Sequence, residues 1–231
     1  MCFICNSPHI VSIHVLNDDS LLNIFHLYRP FFLAECGDEL ERLYGGDGQW
    51  DQGRWWYRLT HVCQRWRNLI LGSASYLRLS LVCTKGTPVA NMLAHSPPLL
   101  LNVDYSSEVG ITAKDEEGLL LALEQRHRLR HLRLLFPIRV LQKLVMAIDG
   151  EFPILEYLIL VPQMADSTVL MHPETLRAPN LRHLTLRGVT CPIRSRLRPT
   201  AVGLVTLYLT ISTPSDYIQP NVLLQWISFM P

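Results

Sequence analysis

The chain has 231 residues, a formal net charge of +1, and 48% hydrophobic against 18% charged residues. This composition excludes an intrinsically disordered chain and provides enough apolar material for one domain of ordinary size together with a smaller one. A net charge near zero also means that no global electrostatic field draws the protein to nucleic acid or to a membrane surface.

The sequence shows no sign of membrane insertion or secretion. Prolines interrupt the longest uncharged runs, and a bilayer span needs about 20 mostly apolar residues. The first residues lack the basic region and the continuous apolar region of a secretory signal. The six cysteines form no dense disulfide framework and predict reduced thiols. We therefore expect a cytoplasmic or nuclear protein.

Residues 1–15 predict a leader that is disordered or strand-like. The motif Cys2-x-x-Cys5, with His9 and His14 nearby, raises the alternative of a zinc site. A zinc finger needs about a dozen residues between its two ligand pairs to build a fold around the metal. Because Cys5 and His9 are too close for that, we expect no metal in this segment.

Two amphipathic helices are predicted next. The first lies within residues 16–28, where Asp18 or Asp19 can cap its start and an apolar stripe follows. The second covers residues 57–71, with apolar residues at steps of three or four. Residues 29–56 form an insertion between the two sequence motifs that these helices carry.

The second half of the chain repeats the pattern Leu-x-x-Leu-x-Leu. Its four copies start at Leu129, Leu155, Leu181 and Leu204, which gives spacings of 26, 26 and 23 residues. These spacings fall in the window of about 20–29 residues that is typical of leucine-rich repeats. In an extended strand the second and third leucines point the same way, so stacked parallel strands would share one continuous core.

The sequence also predicts two further strands and the connections between strands. Residues 76–82 and 99–105 alternate in polarity and predict two further strands, which would make six. Helical returns are expected over residues 138–148 and 221–229, and an irregular return over 191–200.

We therefore predict an α+β chain, with a small helical domain over residues 16–75 followed by a short leucine-rich repeat solenoid over 76–231. The alternative is that the strands belong to another α/β fold. Pro153 and Pro179 precede two repeats at the same offset, and Pro231 lies two such periods beyond Pro179. This phase predicts that a further strand should follow, and hence that the array is truncated at the C-terminus.

Three segments of the N-terminal third form a recognisable set: Leu16-Asn17-Asp18-Asp19-Ser20-Leu21-Leu22-Asn23-Ile24-Phe25, Val62-Cys63-Gln64-Arg65-Trp66 and Ser73-Ala74-Ser75-Tyr76-Leu77. They resemble an F-box, whose family pattern opens with Leu-Pro-x-Glu-Leu-Leu-x-x-Ile-Phe and ends with Val-Cys-(Lys/Arg)-x-Trp. A Ser-x-Ser-x-Leu tail often follows that pattern. With the repeats, the whole chain resembles the F-box/leucine-rich repeat proteins abundant in mushroom-forming basidiomycete fungi.

This resemblance implies a substrate-recognition subunit of an SCF-type (cullin–RING) ubiquitin ligase. The F-box would bind a Skp-type adaptor, and through it a cullin, provided that the insertion over 29–56 can loop out. The repeats would bind a protein substrate, and neither nucleic acid nor a membrane is an expected partner. Motif positions that would contact the adaptor or pack the helical core are Leu16, Leu22, Ile24, Phe25, Val62, Cys63 and Trp66.

The substrate is expected on the residues that lie between the repeat leucines, because these face away from the shared core. Tyrosine and arginine among them are favoured interface anchors. Their mixed character fits a folded protein or peptide better than a polyanion. The predicted substrate-binding residues are His131, Arg133, Tyr157, Ile159, His183, Thr185 and Tyr208.

An enzyme is not predicted. The sequence contains no nucleophile elbow, dinucleotide fingerprint, P-loop or zinc-protease motif, so we expect no catalytic residue and no cofactor. The alternatives that remain open are a stand-alone leucine-rich interaction scaffold whose N-terminal helices only cap the repeats, and a non-functional truncated paralogue.

Overall fold

The computed structural model describes residues 13–28, 55–163, 175–188, 200–210 and 224. The chain divides into two compact units, Met1–Leu79 and Ser80–Pro231. The predicted insertion up to residue 54, the return over 191–199 and, apart from Leu224, the helix over 221–229 lie outside the described residues.

The described part of the first unit is helical. A short 3-10 turn at Ile13–Val15 precedes helix α1 (Asp18–Tyr28), and α2 (Trp55–Thr60) and α3 (Gln64–Gly72) follow. The turn occupies the end of the segment for which a disordered or strand-like leader was predicted.

Helix α1 begins at a different cap from the one predicted. The Asn17 side-chain oxygen accepts a hydrogen bond of 2.8 Å from the Ser20 amide, so Asn17 is the N-cap. Asp18 and Asp19 lie in the first turn instead, where their negative charges interact favourably with the positive end of the helix dipole.

The single helix predicted over residues 57–71 is wrong, because the helix is interrupted. The Thr60 hydroxyl donates to the Tyr57 carbonyl at 2.7 Å, and the Arg67 guanidinium donates to the Thr60 carbonyl at 3.1 Å. Cys63 then adopts an extended conformation as the N-cap of α3. The side chains of Thr60 and Arg67 thus bind backbone carbonyls at this point. Helix α2 ends here, and a new helix begins after Cys63.

Helices α1 and α3 pack through their apolar sides. The rings of Phe25 and Trp66 meet edge to face with centroids 4.8 Å apart, and Leu21 and Ile70 are buried. At the rim, the Arg65 guanidinium bonds the Asp18 carboxylate at 2.7 Å and the Leu16 carbonyl at 2.7 Å. These contacts fix the start of α1 against α3.

The described part of the second unit contains one parallel sheet of six strands, arranged in chain order. The second strand predicted from alternation and the four leucine hexapeptides all coincide with strands, but the first begins later than predicted. Residues 76–78 lie in a turn in which Arg78 has a φ of +50°, outside the extended region. The strands are β1 (Ser80–Cys83), β2 (Leu100–Ser106), β3 (Leu129–Pro137), β4 (Tyr157–Gln163), β5 (His183–Arg187) and β6 (Thr206–Thr210).

The predicted α+β class, with a helical domain followed by a leucine-rich solenoid, is wrong. Helices α4 (Val89–His95), α5 (Ala113–Glu124) and α6 (Ile138–Ala147) alternate with β1 to β4 along the chain. An all-parallel sheet whose successive strands are joined by helical crossovers is an α/β arrangement. Neighbouring parallel strands must be joined by a crossover connection. The crossovers from β1 to β2, from β2 to β3 and from β3 to β4 each contain a helix.

The core of this unit lies between the leucines of the sheet and the crossover helices. The register aligns Leu132 with Leu158 and Leu134 with Leu160, and the same alignment continues into β5 and β6. Helix α6 agrees with its prediction and buries Leu141, Leu144 and Val145. Each buried leucine contributes roughly 1.5–3 kcal/mol of transfer free energy, so this apolar layer is the main source of stability in the sheet.

Candidate functional site

The face of the sheet opposite the leucines carries the predicted substrate residues. The parallel register arranges their side chains in rows that cross the strands. Asn102, His131, Tyr157, His183 and Thr206 form the first row, and Asp104, Arg133, Ile159, Thr185 and Tyr208 form the second. We call these two rows, together with the third row described below, the polar face.

The first row contains three stacked rings. The Tyr157 ring lies 5.2 Å from the His131 ring and 4.3 Å from the His183 ring, measured between centroids, with interplanar angles of 24° and 6°. Adjacent strands are about 4.8 Å apart, so identical register positions bring planar side chains to stacking distance. The stack continues into a 3.0 Å contact between Nδ1 of His183 and Oγ1 of Thr206.

The second row contains a buried ion pair. The Arg133 guanidinium nitrogen Nη1 donates to both carboxylate oxygens of Asp104 at 3.1 Å, and only 7% of the Arg133 side chain and 4% of the Asp104 side chain are exposed. Ile159 and Thr185, which follow in the row, are buried as well. Tyr208 is the member of this row that is exposed.

A third row, formed by Arg130, Glu156, Arg182 and Val205, lies just before the strands begin their regular alternation. Two nitrogens of Arg130 donate to the Glu156 carboxylate at 2.8 and 3.0 Å. The Arg182 carbonyl accepts from the amides of both Val205 and Thr206, at 2.8 and 2.9 Å. The consecutive residues Arg182 and His183, and likewise Val205 and Thr206, are all outside the buried leucine core.

Burial changes the charge that the polar face can present. The Nε2 atom of His131 is buried, although the residue as a whole is partly exposed. Burial first, and then the positive charges of Arg133 and Arg130 and the proximity of His183, lower the pKa of His131 from 6.5 to about 3. His131 is therefore a neutral ring at physiological pH.

The structure thus places all seven predicted substrate residues on one face of the sheet, but only some of their side chains are accessible to a partner. Arg133, Ile159 and Thr185 are buried, whereas His131, Tyr157 and His183 are half-buried. Sequence reasoning missed Asn102 and Asp104 of β2, because that strand lacks the complete hexapeptide. The alternation of Leu101, Val103 and Tyr105 was the signal that could have placed them on this face.

The predicted adaptor-binding residues divide into exposed and enclosed groups. Ile24 and Val62 are 43% and 58% exposed, whereas Phe25 is buried against Trp66. Leu16, Leu22, Cys63 and Trp66 are half-buried.

Sequence reasoning did not select Leu27 and Tyr28, which are also exposed. They lie three and four residues after Ile24 and so share one side of α1. The three side chains form an apolar stripe on the surface of the first unit.

Two further findings bear on function. Within the described ranges, no helix is long and apolar enough to cross a bilayer. The same ranges hold no group of three or more histidine, cysteine, aspartate or glutamate side chains that could bind a metal ion. The cysteines and His9 of the Cys2-x-x-Cys5 motif are outside those ranges.

Comparison of the chain with protein-family models, with curated proteins and with solved structures found no match.

Proposed function

We propose that this protein is a substrate-recognition subunit of an SCF-type (cullin–RING) ubiquitin ligase, with no catalytic residues of its own. Its helical unit binds a Skp-type adaptor, and through it a cullin. The polar face of its sheet binds a protein substrate. On this proposal the protein acts in the cytoplasm or nucleus and belongs with the F-box/leucine-rich repeat proteins that its sequence resembles.

The observation that carries the proposal is the exposed apolar surface of the first unit. An adaptor-binding helix needs apolar side chains that remain accessible on its own unit. Ile24 and Val62 occupy matching positions of the F-box pattern and are both exposed. Leu27 and Tyr28 extend the accessible apolar stripe along α1.

The physical reason is the free energy of burying apolar surface. Removing such surface from water contributes about 25 cal/mol per Å², so a few exposed aliphatic and aromatic side chains can dominate the affinity of an interface. Contiguous exposed apolar patches on proteins commonly mark binding sites. A partner that covers Ile24, Leu27 and Tyr28 would gain this contribution without unfolding the helices.

The experiment is a binding titration of the full chain with a recombinant fungal Skp-type adaptor. We expect saturable one-to-one binding that is weakened at least tenfold by Val62→Asp and by Ile24→Asp. Val109→Asp is the matched control, because Val109 is 99% exposed and belongs to the second unit. Absence of binding by the wild-type chain, or equal loss with Val62→Asp and Val109→Asp, would overturn the proposal.

A stand-alone interaction scaffold is the second candidate. It is favoured by the polar face, whose stacked rings and paired charges give a preorganised surface that does not depend on an adaptor. In that case the adaptor would not bind, while a substrate would still be held. The titration above separates the two candidates.

A further inference from the structure

The end of the polar face at β5 and β6 differs from the rest in its exposure. Arg182 is exposed in the third row, Val205 beside it is 63% exposed, and Tyr208 of the second row is 37% exposed. The Val205 amide donates to the Arg182 carbonyl at 2.8 Å, so the two residues are direct neighbours across the strands. We call Arg182, Val205 and Tyr208 the end patch.

The accessible charge at the end patch is positive, because among the described residues the other arginines of the second and third rows are paired with carboxylates and Arg182 is not. Arg130 is paired with Glu156, and Arg133 is paired with Asp104. In contrast, the Arg182 guanidinium takes part in no hydrogen bond or ion pair with any residue of the described ranges. The patch therefore combines one positive charge with two apolar side chains.

Within the described residues, the corresponding positions of the preceding repeats do not show this combination. Val205 stands where the third row has Glu156 just before β4 and Arg182 just before β5, and Tyr208 stands where the second row has Ile159 and Thr185. A charged position has thus become apolar and an enclosed position has become accessible. The first change lies directly beside Arg182, and the second lies three residues further along the chain, beside Thr185.

We propose that the end patch binds an extended acidic segment of a protein substrate, with one carboxylate paired to Arg182 and an apolar side chain packed against Val205 and Tyr208. This inference rests on the substrate-binding role proposed above and specifies its chemistry. A guanidinium matches a carboxylate through two parallel hydrogen bonds, and tyrosine is a frequent interface anchor.

The test uses the full chain and three surfaces that carry immobilised dodecapeptides of defined composition. Each peptide contains one leucine and one glutamate separated by zero to four glycine or serine residues. The second and third surfaces carry the same peptides with glutamine or lysine in place of glutamate. We expect at least fivefold more protein to be retained on the glutamate surface than on the glutamine surface, and least on the lysine surface.

Variants assign the retention to the end patch. Arg182→Ala should reduce retention on the glutamate surface to the glutamine level, and Arg182→Lys should restore part of it. Val205→Asp should abolish it. Arg139→Ala is the matched control, since Arg139 is an exposed arginine on α6 and removing it changes the net charge equally.

The proposal is overturned by equal retention on the glutamate and glutamine surfaces, or by equal losses with Arg182→Ala and Arg139→Ala. It is also overturned if a single-stranded oligonucleotide surface retains more protein than the glutamate surface, which would indicate a general polyanion site. Circular dichroism of each variant verifies that it is folded. Adaptor binding of the same preparations is measured in parallel, so failure at the end patch and failure of the ligase proposal are distinguishable.

Discussion

Tyr157 lies face to face with His183, with ring centroids 4.3 Å apart and planes inclined by only 6°. The two residues occupy the same register position on adjacent parallel strands, so the backbone spacing of the sheet itself sets the stacking distance. The same relationship joins Tyr157 to His131 on its other side. The polar face is thus ordered by ring contacts as well as by ion pairs.

Removing the central ring should destabilise the sheet. We expect Tyr157→Ala to lower the free energy of unfolding by about 1–3 kcal/mol, because two ring contacts are lost together with buried apolar area. Tyr157→Phe keeps the ring and should retain most of the stability. Urea unfolding followed by circular dichroism measures both, and equal stability of Tyr157→Ala and wild type would show that the stack contributes nothing.

The two arginine–carboxylate pairs of the polar face should differ in their effect on stability. Asp104→Ala leaves the Arg133 charge buried and should lower the free energy of unfolding by about 3–5 kcal/mol. Glu156→Ala affects the more exposed pair with Arg130 and should cost less than about 1 kcal/mol.

Replacement of both partners gives the sharper comparison for the buried pair. The double variant Asp104→Leu, Arg133→Met removes both charges, and we expect it to regain at least half of the stability lost in Asp104→Ala. Chemical denaturation of the four proteins provides the values. Similar losses for Asp104→Ala and Glu156→Ala would contradict the assignment of a buried pair.

Acidification should destabilise the protein through His131. Its pKa is about 3 in the folded protein and 6.5 in the unfolded chain, so below pH 6.5 the unfolded state binds more protons. Stability should therefore fall as the pH is lowered from 6.5 toward 3, by up to about 1.3 kcal/mol per pH unit from this group. The urea midpoint measured between pH 7 and pH 4 checks the slope.

A variant without the His131 ring tests whether this residue causes the pH dependence of the urea midpoint. His131→Gln has no ring to protonate, so its urea midpoint should depend less on pH than that of the wild type. His127→Gln replaces an exposed histidine and should follow the wild-type curve. If all three curves run parallel, His131 is not the group responsible.

The cap of α1 predicts a local effect in the first unit. Asn17→Ala removes the 2.8 Å bond to the Ser20 amide and should lower stability by about 0.5–2 kcal/mol. Asn17→Asp retains an acceptor and should preserve the cap. Thermal unfolding of the two variants tests this, and a loss of the same size in both would indicate that the side-chain acceptor is not what matters.

Much of the sheet could be predicted because its signal is periodic. The leucines at Leu132, Leu158 and Leu184 repeat at a fixed spacing, and a fixed spacing both predicts a strand and sets its register with the next one. The helix over Ile138–Ala147 could also be predicted from the sequence, since its apolar residues recur on one side. The same periodicity located the residues of the polar face.

The rest depended on contacts that are not local in the sequence. The fold class was wrong because helical connections between β1, β2 and β3 carry no repeat of their own. Asp104 could not be paired with Arg133 from the sequence, since 29 residues separate them. The break before α3 arises from the side chains of Thr60 and Arg67, which take up backbone groups that a periodic pattern does not reveal.

Adaptor binding is the measurement on which the proposed function depends. In a titration of the full chain with a recombinant fungal Skp-type adaptor, we predict saturable one-to-one binding that Val62→Asp weakens at least tenfold and Val109→Asp leaves unchanged. A wild-type chain that is folded by circular dichroism yet shows no binding to the adaptor would contradict the ligase function.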